Sequence, residues 1–123
     1  MARLFLAAAA ILGGLSVAGG AFASHALKAQ LSDRALEIFE TGAKYQMYHA
    51  LALLLVALLL RSNASPWLSA AGVAFVVGVV LFSGSLYGLS LSGVKVLGAI
   101  TPLGGVAFLV GWGCLAAAAF TLK

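Results

Sequence analysis

Eleven consecutive apolar residues, Ala50 to Leu60, follow a stretch Lys44-Tyr45-Gln46-Met47-Tyr48-His49 that holds five polar side chains. A helix rises about 1.5 Å per residue and a bilayer's hydrocarbon core is about 30 Å thick, so a span needs about 20 residues. The apolar run supplies about half of that. Either it is a short buried helix of a soluble fold, or it crosses a membrane with its polar half drawn below the surface. Composition decides between them. With 63% hydrophobic and 8% charged residues and a mean hydropathy of +1.14, a soluble chain of 123 residues has too little polar surface to cover itself. The expected class is all-α: an integral membrane four-helix bundle in one domain.

Four spans are expected, over about 4–23, 43–61, 66–89 and 102–121. The first ends in Ala21-Phe22-Ala23, a pattern that also follows the apolar stretch of a signal peptide, but its twenty apolar or small residues exceed the usual length of such a stretch, so a retained helix is expected. Ser65-Pro66-Trp67 opens the third span with a cap, a proline suited to the first helical position and an aromatic suited to the headgroup level. Thr101-Pro102 reads as the same device opening the fourth. Four crossings put both termini on one side. Basic residues near helix ends divide almost evenly, with Arg3, Arg61 and Lys123 on the terminal side and Lys28, Arg34, Lys44 and Lys95 on the other, which leans toward the second side facing the cytoplasm.

Between the first two spans, residues 33–42 read as a short amphipathic interfacial helix lidding the bundle. Asp33, Arg34, Glu37 and Glu40 share one arc, and Ala35, Leu36, Ile38 and Phe39 share the other. Ser32 is the expected N-cap, and Glu40 precedes Lys44 by four residues, the favoured order for an ion pair. Both charge signs are present, so a basic membrane-binding helix is the weaker reading.

Depth then gathers the polar groups. If Arg61 marks one interface, His49 lies about 18 Å along the axis and below the surface on its own side. Following the chain, His25, Tyr45, Gln46, His49, Ser83, Ser85, Tyr87 and Thr101 all fall toward one pole, with a shared hydrogen-bonded pocket expected at Tyr45, His49 and Tyr87. Two accounts compete. Tyrosines, serines and threonine can simply belt and pin helices, or polar groups placed at depth against their cost can mark a binding site. Catalysis is not expected, because no residue orients a Ser/His pair. Two histidines without a neighbouring carboxylate make a poor metal site, and neither metal nor cofactor is expected.

Small residues such as Ala9 with Gly13, Gly14 with Ala18, Gly84 with Gly88, and Ala107 with Gly111 are spaced for close helix packing. Trp112 falls near the midplane, and its N–H calls for a partner inside the bundle. Cys114 stands alone as a small hydrophobe. The scattered basic residues form no track for nucleic acid, so the bilayer itself, and a homo-oligomer within it, are the expected partners.

The blocks GAFASHAL, TGAKYQMYHALAL, LFSGSLYGL, GAITPLGG and the later GW resemble the signature of the YgdD/YwdK-like family of small bacterial inner-membrane proteins. The resemblance implies a multi-span protein of the cytoplasmic (inner) membrane and supplies no activity, cofactor or catalytic residue. The expected function is non-enzymatic: binding of a lipid headgroup, small polar molecule or partner helix at the polar pole. The alternative is an oligomeric channel or transporter. Proton-coupled transport is weakened because Asp33, Glu37 and Glu40 all sit in the expected lid.

Overall fold

The computed structural model describes residues 1–122, so Lys123, counted above among the terminal-side charges, lies outside the described residues. Helix α1 runs Ala2–His25, a single 3₁₀ turn spans Leu27–Ala29, and α2 runs Asp33–Leu60. Helix α3 (Pro66–Gly78), a π-helical turn (Val79–Ser83) and α4 (Gly84–Ser92) form one rod, and α5 runs Leu97–Ala119. These make four helical rods long and apolar enough to cross a membrane.

Local chemistry accounts for the ends. Ser32 accepts a hydrogen bond from the Ala35 N–H at 3.1 Å and starts α2, and Ser65 accepts one from Leu68 with Pro66 in the first turn of α3. Gly93 adopts φ +72°, the left-handed conformation that closes α4, and returns its N–H to the Leu89 carbonyl at 2.8 Å.

Two expectations about elements are corrected. Residues 33–42 are not a separate interfacial helix, because α2 is unbroken from Asp33 to Leu60. No proline interrupts it, and once a helix is nucleated each added residue gains a hydrogen bond. Its 28 residues reach about 42 Å, so the outer two turns project beyond a hydrocarbon core of about 30 Å instead of lying across it. The fourth span begins at Leu97, and Pro102 sits inside α5. Turn-like hydrogen bonds from Leu97, Gly98 and Ala99 to Val94, Lys95 and Val96 start that helix before the proline is reached.

The α2 rod packs on α1 on one side and on the α3–α4 rod on the other, and α5 packs on α3–α4. The most apolar windows of the two central rods are 44% buried against 17% for α1 and α5, so α2 and α3–α4 form the spine and the outer helices flank it. Leu53, Val56, Leu68, Ala71 and Phe75 fill the centre. Aromatic side chains seat on glycines: Phe5 on Gly72, Phe108 on Gly78 and Phe75 on Gly111, each where an added methyl would collide with the ring. At Gly104 of α5 the obstacle is the Phe82 backbone itself, so the two helices meet backbone to backbone there.

Candidate functional site

Residues 42–46 of α2 lie at one depth and tie the helices together. Ser83 donates to the Gly42 carbonyl at 2.7 Å, and Ser16 donates to the Ala43 carbonyl at 2.6 Å. Gln46 reaches in both directions: its Nε2 donates to the Leu12 carbonyl at 2.7 Å, and its Oε1 accepts from the Tyr87 hydroxyl at 2.6 Å. Ser85 and Thr101 share a hydrogen bond of 2.6 Å between α4 and α5. One polar layer therefore links α1, α2, α4 and α5. Among the described residues no buried side-chain nitrogen or oxygen lacks a partner, as a medium without water demands.

The π turn sets the register of this layer. A wider turn rotates the residues after it relative to a regular α-helix. Phe82 thereby faces α5, 5.3 Å from the Phe108 ring, while its neighbour Ser83 faces α2.

Below the layer, His49 builds a second cluster of different character. Its Nδ1 lies 2.7 Å from the Tyr45 carbonyl, and its Nε2 lies 3.1 Å from the Trp112 indole nitrogen. A carbonyl only accepts and an indole N–H only donates, so the proton sits on Nδ1, Nε2 is bare and the ring is neutral. The imidazole stacks on Phe108 with centroids 3.5 Å apart and planes 7° apart, and Phe75 and Trp112 meet at 5.1 Å beside it. Only side chains bridge α2 and α5 here, and the gap is a cleft of about 410 Å³ edged by Tyr45, Tyr48, Phe82, Gly105, Leu109 and Trp112. His49 is 5% exposed at its floor, while Tyr48 and Trp112 are 51% and 45% exposed toward the surrounding lipid. The Tyr45 and Tyr48 hydroxyls make no hydrogen bond to the described residues.

The residues expected at one pole thus separate into groups. Gln46, Tyr87 and Ser83 join the α1–α2–α4 tie, and Ser85 and Thr101 join the α4–α5 tie. Tyr45 and His49 form the cleft with partners the pole did not include. His25 stands exposed at the end of α1, outside both groups. The expected three-way pocket of Tyr45, His49 and Tyr87 does not form. The Tyr87 ring fills the notch left by Gly42, so that a Cβ there would lie 2.9 Å from its Cε1, and this aims the hydroxyl at Gln46 one turn along. Trp112 finds the intramembrane partner its N–H called for. Ser16, Phe82 and Phe108 were not anticipated as site residues. Ser16 carried a signal, a hydroxyl at the middle of an apolar span, but an unbranched phenylalanine among apolar neighbours carries none.

Four apolar rods pinned by one polar layer, with an aromatic cleft open to lipid, define a small polytopic helical membrane protein. Residues 19–105 match the family described as "Protein of unknown function (DUF423)", and the chain belongs to that family. The UPF0382 membrane protein YwdK of Bacillus subtilis (strain 168) is 45% identical over 111 residues, 89% of this chain and 90% of its own. The UPF0382 inner membrane protein YgdD of Escherichia coli (strain K12) is 40% identical over 121 residues, 98% and 92% of the two chains. A UPF0382 membrane protein of Haemophilus influenzae is 44% identical over 124 residues, 100% and 98%. No solved structure matches the chain. The family resemblance carried by the sequence blocks is borne out.

Proposed function

We propose that this is a non-enzymatic binding protein of the bacterial cytoplasmic membrane, and that the α2–α5 cleft holds an amphipathic molecule entering from the bilayer. The observation that carries the reading is the cleft itself. Its walls, Phe82, Phe108 and Leu109, suit a hydrocarbon body, and two tyrosine hydroxyls without partners among the described residues stand at its edge. Deep polar groups elsewhere are consumed in pairs, which weighs against a conducting path through the chain. The polar end of the occupant belongs at the Tyr45 and Tyr48 hydroxyls, on the side of the cleft nearer Thr41, and its body belongs against His49 and Phe108.

Gly105 provides the test. A Cβ built there meets nothing within 4 Å, so Gly105→Leu fills the cleft without disturbing the backbone. Protein extracted in mild detergent should carry a small-molecule mass in native mass spectra, and Gly105→Leu should lose it while keeping its helical circular dichroism. Tyr45→Phe should retain less than the parent. An equal adduct in all three proteins, or none in the parent, would sink the reading.

A further inference from the structure

A second groove lies on the other side of α2, against α1. It holds about 260 Å³, with Val17 and Met47 as walls and Gly20 and Ala43 as a floor, while Ser16 spends its hydroxyl on the Ala43 carbonyl. Its rim carries Glu40 and Lys44. These two are one turn apart on an unbroken helix, the spacing and order that favour an ion pair. The structure does not pair them: among the described residues the ion pair is Arg34 with Glu37 at 3.1 Å, and both Glu40 and Lys44 are exposed and free.

The depth of the two charges differs in a defined sense. Counting about 20 residues back from Leu60 puts the opposite hydrocarbon boundary near Thr41. Glu40 lies just outside it, and Lys44 lies about one turn inside, with a side chain that leans toward the helix N-terminus and snorkels to phosphate level. Read from water inward, the rim is an acid above a base.

We infer that the α1–α2 groove seats a zwitterionic aminophospholipid, with its primary ammonium on Glu40, its phosphate on Lys44 and one acyl chain running inward between Val17 and Met47. In such a lipid the ammonium stands outward and the phosphate inward, the complement of the rim. Both contacts are charge-assisted hydrogen bonds. A lipid with a quaternary ammonium offers Glu40 a charge but no N–H. An anionic glycerol headgroup satisfies Lys44 and sets its phosphate beside an unanswered carboxylate. This site is separate from the α2–α5 cleft and does not rest on it.

The probe is the full chain reconstituted in vesicles of equimolar phosphatidylethanolamine and phosphatidylglycerol, extracted and examined by native mass spectrometry. Phosphatidylethanolamine should be enriched over phosphatidylglycerol by about fivefold, the ratio that about one surface charge contact supports. Glu40→Gln should remove that preference, and Lys44→Gln should lower retention of both lipids. Gly20→Leu, placed where a Cβ meets nothing within 4 Å, should displace both, whereas Gly113→Leu, equally open and lining neither groove nor cleft, should leave the ratio unchanged. Glu40, Lys44 and Gly113 are exposed and Gly20 is half-buried, and circular dichroism checks the fold. Enrichment of phosphatidylglycerol, a ratio untouched by Glu40→Gln, or loss in Gly113→Leu with retention in Gly20→Leu would each overturn the assignment.

Discussion

Gln46 makes two hydrogen bonds to neighbouring helices, more than any other side chain among the described residues. Its amide donates to α1 and accepts from α4, so Gln46→Leu leaves the half-buried Tyr87 hydroxyl without that acceptor. Interhelical hydrogen bonds in membranes average about 0.6 kcal/mol with a maximum near 1.7, and an orphaned buried group costs about 1–3 kcal/mol. We expect Gln46→Leu to destabilise by about 1–2 kcal/mol. Tyr87→Phe should cost less, and the double variant should cost clearly less than the sum, because the second change removes the orphan that the first created. Unfolding midpoints in detergent for the four proteins close the cycle, and strict additivity would show that the 2.6 Å contact carries no weight. Sequence alone gathered Gln46, Tyr87 and His49 at one pole of the bundle. It did not separate Gln46 from His49, since their directions differ only by which neighbouring helix each meets, and that depends on Gly42 admitting a tyrosine ring.

At the scale of elements, caps were legible where side chain and backbone act within one turn, as at Ser32 and Ser65. Thr101-Pro102 looked the same and was not. Its hydroxyl is spent on Ser85 of the next helix, a partner 16 residues away that no local motif encodes. The consequence is testable. A proline at the first helical position costs nothing, but inside α5 Pro102 forfeits the rung to the Gly98 carbonyl, a loss of up to about 3 kcal/mol. Pro102→Ala should therefore stabilise the protein by about 1–3 kcal/mol in thermal or denaturant unfolding. A neutral or destabilising result would move the start of the fourth span back to the proline. The unbroken α2 is not legible for a related reason: its period and amphipathic arc are the same whether the helix bends at Thr41-Gly42 or runs straight, and the packing of Gly42 on Tyr87 and Leu86 that accompanies the straight form joins residues far apart in sequence.

For the whole molecule, the number of crossings followed from hydropathy because hydrocarbon forbids unsatisfied backbone, whereas the order of helices around the spine followed from contacts between residues far apart in sequence. Orientation is set by neither. It depends on basic residues near helix ends, and carboxylates contribute little, so the exposed Asp33, Glu37 and Glu40 do not offset their neighbours. Lys28, Arg34, Lys44 and Lys95 lie on the face where α2 projects, against Arg3 and Arg61 on the other, a margin that the N-terminal amine narrows to one charge. We expect the projecting face in the cytoplasm and a C-terminal alkaline phosphatase fusion to be active on the outer side. Because the margin is so thin, Ser62→Lys with Asn63→Lys in the α2–α3 loop should turn most molecules over and give activity to a cytoplasmic reporter at the same position. A fusion active only inside in the parent would reverse the assignment, and a parent that resists the two added lysines would show that features other than end charges hold the orientation. The same experiment bears on the lipid seat, since inversion carries Glu40 and Lys44 to the opposite leaflet with their acid-above-base order intact.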